Sequence, residues 1–267
     1  MELEEKKQDF AERGLNIAAL TYDSLAILRH FGDRKGISYP VLSDPDSEVI
    51  RAFGILNTNY APDHESYGIP FPGMFIIDEN GIVEAKFFEM DHRERYTASN
   101  VLVRHFEDPG GNTATEATNN HLKLTASASD EVVRPGNRLT LILDVELPPK
   151  MHLYAPGVEG YIPIEWQIPE SEIWWAFDPE YPESHTLHLP AIDETVPVYE
   201  NKFRIMRDVV IGPHEAIEHL YNKTLTLGGS FQYQACDDKI CYRPDSISLT
   251  WAFRVLEHDV ENVPPPD

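Results

Sequence analysis

The sequence predicts an α/β domain followed by an all-β sandwich, and three observations carry that prediction. Helical and strand-like patterns alternate through residues 1–107. Residues 108–120, Asp-Pro-Gly-Gly-Asn-Thr-Ala-Thr-Glu-Ala-Thr-Asn-Asn, contain no large apolar side chain. Beyond residue 121, period-two apolar runs are punctuated by Pro and Gly at short spacing, as in a protein built of short strands. A chain of 267 residues is long enough for two cores of ordinary size.

Taken in order, residues 3–13 form an amphipathic helix stopped by Gly14, and 15–21 a short buried strand. Ser24 caps a helix carrying Leu25, Leu28 and Phe31, with Gly36 as its stop. Ser43-Asp-Pro-Asp-Ser-Glu opens another helix: Pro45 suits a first turn, the acids suit the positive end, and Gly54 ends it. Phe75-Ile-Ile-Asp-Glu-Asn-Gly-Ile-Val is a hairpin turning at Asn80-Gly81. Residues 93–106 close the α/β set as a helix.

Residues 108–120 cannot bury enough to offset their own ordering entropy, so they are expected to be an interdomain linker. The runs beginning at Arg138, Lys202, Thr224 and Ser246 then alternate as strands, with one helical interruption at 213–221. Residues 121–256 therefore fit a two-sheet sandwich of immunoglobulin type. The tail, 257–267, is acidic and proline-rich and is expected to be loose.

Cys236 and Cys241 are the two cysteines of the chain and lie in Tyr233-Gln-Ala-Cys-Asp-Asp-Lys-Ile-Cys-Tyr-Arg-Pro244, between two of these strands. Opposed residues of an antiparallel pair lie about 4.5–5.5 Å apart, inside the roughly 4.4–6.8 Å that a disulfide tolerates. The pair can close and reopen with little backbone movement. Spacing alone does not choose between an inert staple, whose short loop gains little entropically, and a redox pair. A structural zinc site needs about four ligands, and no second Cys or His pair completes one nearby, so no metal and no cofactor are expected.

Composition excludes several classes. The formal net charge is −23 with a pI near 4.7. A nucleic-acid partner would meet no basic footprint, and an anionic membrane surface is disfavoured for the same reason. No apolar run is long enough to insert into a membrane. The acidic surface is a solvated face that would favour a partner of basic charge.

Three stretches of residues 121–256 stand out: His152-Leu-Tyr-Ala-Pro-Gly, Val196-Pro-Val-Tyr-Glu-Asn-Lys-Phe and Tyr233-Gln-Ala-Cys…Cys-Tyr-Arg-Pro. On these, the segment resembles the N-terminal domain of the thiol:disulfide interchange protein DsbD. The resemblance implies an immunoglobulin-like domain in which Cys236 and Cys241 pass electrons to and from thiol–disulfide partner proteins. It further implies that Val198 and Tyr199 belong to a loop covering the pair, with Tyr154 packed nearby. The family's motif often has a longer spacer between its cysteines and a Pro where Arg243 stands.

Residues 1–107 contain Tyr39-Pro-Val-Leu-Ser-Asp-Pro-Asp-Ser and Gly68-Ile-Pro-Phe-Pro-Gly-Met-Phe-Ile-Ile-Asp-Glu-Asn-Gly. On these stretches they are similar to thioredoxin-like redoxins of the alkyl hydroperoxide reductase/thiol-specific antioxidant (AhpC/TSA) group. The likeness implies a cis-proline at Pro72, lying against a bound thiol partner. The family's cysteine stands at the start of the helix with which this sequence begins. The resemblance thus implies a truncated redoxin domain, with its central strand and cysteine motif missing and two neighbouring strands left unpaired. The DsbD likeness implies the periplasm, whereas a chain starting at Met1 without an apolar signal core would remain in the cytoplasm.

With the resemblance, the leading reading is a thiol–disulfide oxidoreductase or electron relay through Cys236 and Cys241. Its own redoxin domain is one candidate partner, and an antioxidant, thiol-dependent peroxidase one candidate parent activity. The acids Asp237 and Asp238 outnumber Lys239 beside the cysteines, so the pair is expected to be attacked by a partner's thiolate rather than to activate itself. The alternative is a non-catalytic interaction module with a structural disulfide and a degenerate redoxin domain. Trp166, Trp174, Trp175 and Phe177 offer either a binding face or sandwich core, and His214 and His219 are expected at the surface.

Overall fold

In the computed structural model, which describes residues 2–64, 66–89, 94–108, 111–189 and 193–258, the chain divides into two units, Met1–Phe106 and Glu107–Glu257. Arg93 and residues 259–267 of the expected tail lie outside the described residues.

The first unit is an α/β, thioredoxin-like part. Helices Glu2–Glu5 and Lys7–Glu12 replace the single expected helix. Bonds from Lys6 N to Glu2 O and from Phe10 N to Lys6 O bridge the join, and Gly14 follows at φ 81°. Helix Leu25–Lys35 starts at Ser24, whose hydroxyl accepts from Ile27 N, and stops at the left-handed Gly36. It connects strand Ala19–Thr21 to its parallel neighbour Val41–Ser43.

Pro45 is not in the first turn of the next helix. It sits in a turn ahead of helix Glu48–Ala52. The Asp44 carboxylate there accepts from Glu48 N and Ile50 N at 3.0 and 2.9 Å, satisfying amides a helix start leaves open. Strands Gly73–Ile77 and Val83–Phe88 form the hairpin, turned by Asp78, which accepts from Asn80 N and Ile82 N. The last helix is shorter than expected, Ala98–Phe106, because Arg95–Tyr96 is extended. Thr97 Oγ1 accepts from Asn100 N at its start.

The two strand pairs of this unit are separate two-stranded sheets. Among the described residues no peptide bond is cis, which corrects the expectation for Pro72. Trans is the intrinsic preference of an X–Pro bond, and the Pro72 carbonyl accepts from Glu89 N at 3.2 Å.

The second unit is β-rich and immunoglobulin-like, with a third sheet added to the expected two. One large sheet orders Trp174–Ala176, Lys202–Ile211, Asn137–Glu146, Lys123–Ala128 and Asn112–Thr118. The other orders Glu165–Gln167, Thr224–Tyr233, Asp245–Val255 and Val132–Val133. Alternate residues of both meet in one core, where Leu124, Leu141, Leu143, Ile205 and Val209 face Leu227, Phe231, Leu249, Trp251 and Phe253. Trp251 Nε1 donates to Ser127 O across the two sheets at 2.9 Å, and Gly229 lies so close to the Gln167 carbonyl that a Cβ would meet it at 2.7 Å.

The segment expected as a linker, 108–120, holds the strand Asn112–Thr118, antiparallel to Lys123–Ala128. An edge strand is held by its backbone, and Thr115 adds two bonds to Thr250, so a lack of large side chains did not prevent pairing. The helical interruption is His214–Ile217 followed by the 3-10 turn Glu218–Leu220. His214 and His219 are not buried, and His214 bonds Tyr221 and Glu218. The aromatic cluster divides between the two expected roles. Trp166 is buried in the core, Trp174 packs against it, and Trp175 and Phe177 are exposed. The Arg138 guanidinium lies 4.0 Å over the Phe177 ring.

Candidate redox site

The third sheet carries the cysteines. Its order is His185–Leu189, Glu194–Glu200, His152–Tyr154 and Ala235–Cys236, all antiparallel. Thr224–Tyr233 and Asp245–Val255 pair up to Tyr233 and Asp245. The chain between them then leaves that sheet, and Ala235 and Cys236 cross to pair with Leu153 and His152.

Cys236 and Cys241 face each other as an isolated antiparallel bridge and form a disulfide with Cα atoms 4.0 Å apart. Asp237 organises the turn between them. Its carboxylate accepts from Lys239 N, Ile240 N and the Tyr242 hydroxyl at 2.8, 2.9 and 2.9 Å. The Ile240 and Lys239 amides, with the Tyr242 hydroxyl, hold the Asp237 pKa below the ordinary carboxylate value. Asp238 pairs with Lys150 at 3.1 Å. Thus one acid beside the cysteines shapes the turn and the other meets a lysine.

The two sulfurs stand in different surroundings. Cys236 is 1% exposed and packs with Tyr154, Val196 and Val198. Cys241 is exposed, next to the exposed Ile240, and its Sγ accepts from the Tyr154 hydroxyl at 3.5 Å. Tyr154 is itself buried, which raises its pKa and keeps the hydroxyl a donor.

Tyr154 and Val198 are thus brought to the disulfide, while Tyr199 is not. Val198 and Tyr199 lie in a strand, not in a covering loop. Val198 pairs with Tyr154. The period-two pleat sends Tyr199 to the opposite face, where it joins the sandwich core, stacks on Phe203 and donates to Pro182 O. Pro72 belongs to the first unit.

The covering residues come instead from the stretch after Tyr154, where Val158 and Tyr161 pack on the same cluster. The Tyr161 ring lies 4.4 Å from that of Tyr154, and its hydroxyl bonds Glu194, which pushes its pKa up to about 12. Sequence reasoning missed Tyr161 and His152. His152 could have been found from its place two residues before Tyr154 in a strand, which puts both on one face. Tyr161 lies in an irregular stretch and gave no comparable signal.

Comparison with known proteins agrees with this division. The family model AhpC/TSA family matches residues 1–86. That for Thiol:disulfide interchange protein DsbD, N-terminal, matches 122–250. The chain therefore joins an AhpC/TSA-like segment to a DsbD-N-like domain, and together they support a general thiol–disulfide redox role. A peroxiredoxin homologue of Mycobacterium tuberculosis (strain ATCC 25618 / H37Rv) is 36% identical over 84 residues, 30% of this chain and 50% of that protein. Peroxiredoxin tpx1 of Schizosaccharomyces pombe is 34% identical over 86 residues, 30% of this chain and 41% of that protein. The chain spans about half the length of the curated relatives it matches.

Among solved structures, the N-terminal periplasmic domain of ScsB from Proteus mirabilis aligns with 16% identity. The match covers 52% of this chain and 51% of that one, with a TM-score of 0.38. The Neisseria meningitidis DsbD n-terminal domain in the reduced form aligns with 10% identity over 43% and 77%, with a TM-score of 0.31. At these scores the two structures carry no argument about the site.

Proposed function

We propose that the second unit is a thiol–disulfide exchange module working through Cys236 and Cys241, with Cys241 as the sulfur that partners attack. The observation that carries this reading is the asymmetry of the pair. Cys241 is an exposed residue whose sulfur is hydrogen-bonded by Tyr154; Cys236 is buried in an apolar cluster. Exchange needs a sulfur that an incoming thiolate can reach, and a staple needs none.

A partner thiolate attacks Cys241 Sγ. The Cys236–Cys241 bond breaks, its electron pair moves to Cys236 Sγ, and a mixed disulfide joins the partner to Cys241. A second partner thiolate then attacks the partner's own sulfur in that bond and releases Cys241. Two electrons have passed to the pair, and the partner leaves oxidised. Tyr154 stabilises Cys241 as it departs. The reverse sequence oxidises the pair. Residues 1–106 contain no cysteine, so the partner thiol comes from outside these 267 residues, and cysteine-based peroxide reduction is not assigned to them.

Trapping tests the assignment. Cys236→Ser keeps the exposed cysteine and is expected to accumulate a mixed disulfide with a single-cysteine partner, such as a thioredoxin whose resolving cysteine is replaced by serine and whose remaining cysteine is activated as a disulfide with an aromatic thiol. Cys241→Ser keeps only the buried one and is expected to trap at least tenfold less. Equal trapping by both variants would refute the assignment of Cys241. No trapping by either, with a potential below about −300 mV, would leave a structural staple in an interaction module.

A further inference from the structure

His152 stands beside the buried sulfur and has no evident structural task. In the third sheet it is directly opposite Cys236 on one side and Glu200 on the other. Directly opposed residues share a face, so the imidazole, Cys236 and Glu200 line one row. The residue is 2% exposed, and its ring meets the edge of Tyr154 at 5.5 Å. Its Nε2 is buried and makes no hydrogen bond among the described residues. Native folds rarely leave such an atom unpaired, and each instance asks for a cause.

The charged neighbours do not supply one. Glu200 is engaged by His185 at 2.7 Å, and Asp238 by Lys150. Asp237 is held by its turn. Burial lowers the His152 pKa, against the opposing pull of Glu200, Asp238 and Asp237 and with a small push from His185. Burial thus favours the neutral imidazole over the cation.

We propose that His152 is the hydrogen-bond donor reserved for Cys236 when the disulfide opens. Attack on Cys241 sends the electron pair of the S–S bond to Cys236 Sγ, which becomes a thiolate in an apolar cluster. In its Nε2–H tautomer the imidazole donates one hydrogen bond to that sulfur, and no proton changes hands. Tyr154 then serves one sulfur and His152 the other, from the same strand and the same face. In the closed disulfide a sulfur is a weak acceptor and Nε2 has no partner among the described residues; in the open state it has a strong one. His152 thereby favours the reduced form and sets how readily the pair accepts electrons.

This inference rests on the exchange reading above, and the experiment separates the two. The full chain is equilibrated with glutathione mixtures, and the equilibrium constant is read for the unaltered chain, His152→Phe and His152→Gln. His152→Phe is expected to shift the constant about tenfold toward the disulfide, some 30 mV for a two-electron couple. His152→Gln retains an N–H donor and should stay within about threefold of the parent.

In a Cys241→Ser background, the Cys236 thiolate absorbance near 240 nm should titrate about one pH unit higher once His152→Phe is added than with the imidazole in place. In the unaltered chain the 15N shift of His152 Nε2 should move on reduction, a readout that needs no substitution. An unmoved Nε2 shift overturns the proposal, as does a His152→Gln variant that behaves like His152→Phe. So does an unchanged constant in a folded His152→Phe. If the unaltered pair resists glutathione and thioredoxin altogether, the exchange reading itself fails.

Discussion

The first unit holds two strand pairs that share no sheet, whereas the second closes three sheets around a continuous core. Apolar side chains of the first unit remain exposed on several elements, including Leu25, Leu42, Phe53 and Ile82. Phe10, Ile76, Phe87, Ala98, Val101 and Leu102 form one small buried cluster, and Leu28, Tyr39, Ile50 and Phe71 are buried outside it. In the second unit the facing sheets bury nearly every alternate residue of their long strands. The contrast teaches which unit offers a disulfide a fixed frame. Two sulfurs that open and reclose need neighbours that do not move, and a strand packed on a full core supplies them.

The largest expected effect probes the two cores. Trp251→Ala removes a fully buried ring that also bonds Ser127 and should cost about 3–5 kcal/mol. All four tryptophans lie in the second unit, so the remaining three report its urea midpoint. Ile76→Ala in the small core should cost about 2 kcal/mol, read from amide exchange of the Gly73–Ile77 hairpin strand. Equal losses would erase the contrast between the cores.

A smaller effect comes from pH. The folded His152 pKa lies below its unfolded value of about 6.5. The stability tied to its neutral form is therefore complete above about pH 6.5 and is lost as pH falls through the folded value. The tryptophan-detected midpoint should fall between pH 7.5 and 5.5, and part of that fall should vanish in His152→Phe. A slope untouched by the substitution would remove the buried imidazole from the account.

The smallest effect is local. Asp237→Ala should speed amide exchange at Lys239 and Ile240 and leave the unfolding midpoint in place. Because the Asp237 pKa is lowered, its hold on the turn is intact above about pH 4 and is lost as pH falls through the folded value. Unchanged exchange in the variant would show that the disulfide alone shapes the turn.

Much of this was legible in the residues. Ser24 and Gly36 bracket a helix, Asn80-Gly81 turns a hairpin, and the alternation on both sides of the cysteines forms an antiparallel pair. These are local signals with local causes. The errors came where a segment's fate depends on distant partners. Asn112–Thr118 looked like a linker because its composition cannot build a core, yet it needs only a backbone neighbour. Tyr199 looked like part of a cover, yet one step along a strand turns it to the other face. Pro45 was displaced from its expected helix turn because Asp44 caps the helix with its side chain.

By itself the sequence determined the order of the two units, their classes and the pair of residues able to do sulfur chemistry. Periodicity and residue identity are local, and the chain has two cysteines. Only the tertiary structure decided which cysteine is exposed, that Tyr154 donates to its sulfur, and that His152 pairs opposite the other. Those facts depend on a strand from residues 152–154 pairing with one from 235–236. That pairing spans about eighty residues of chain, and no local pattern in the sequence announces it.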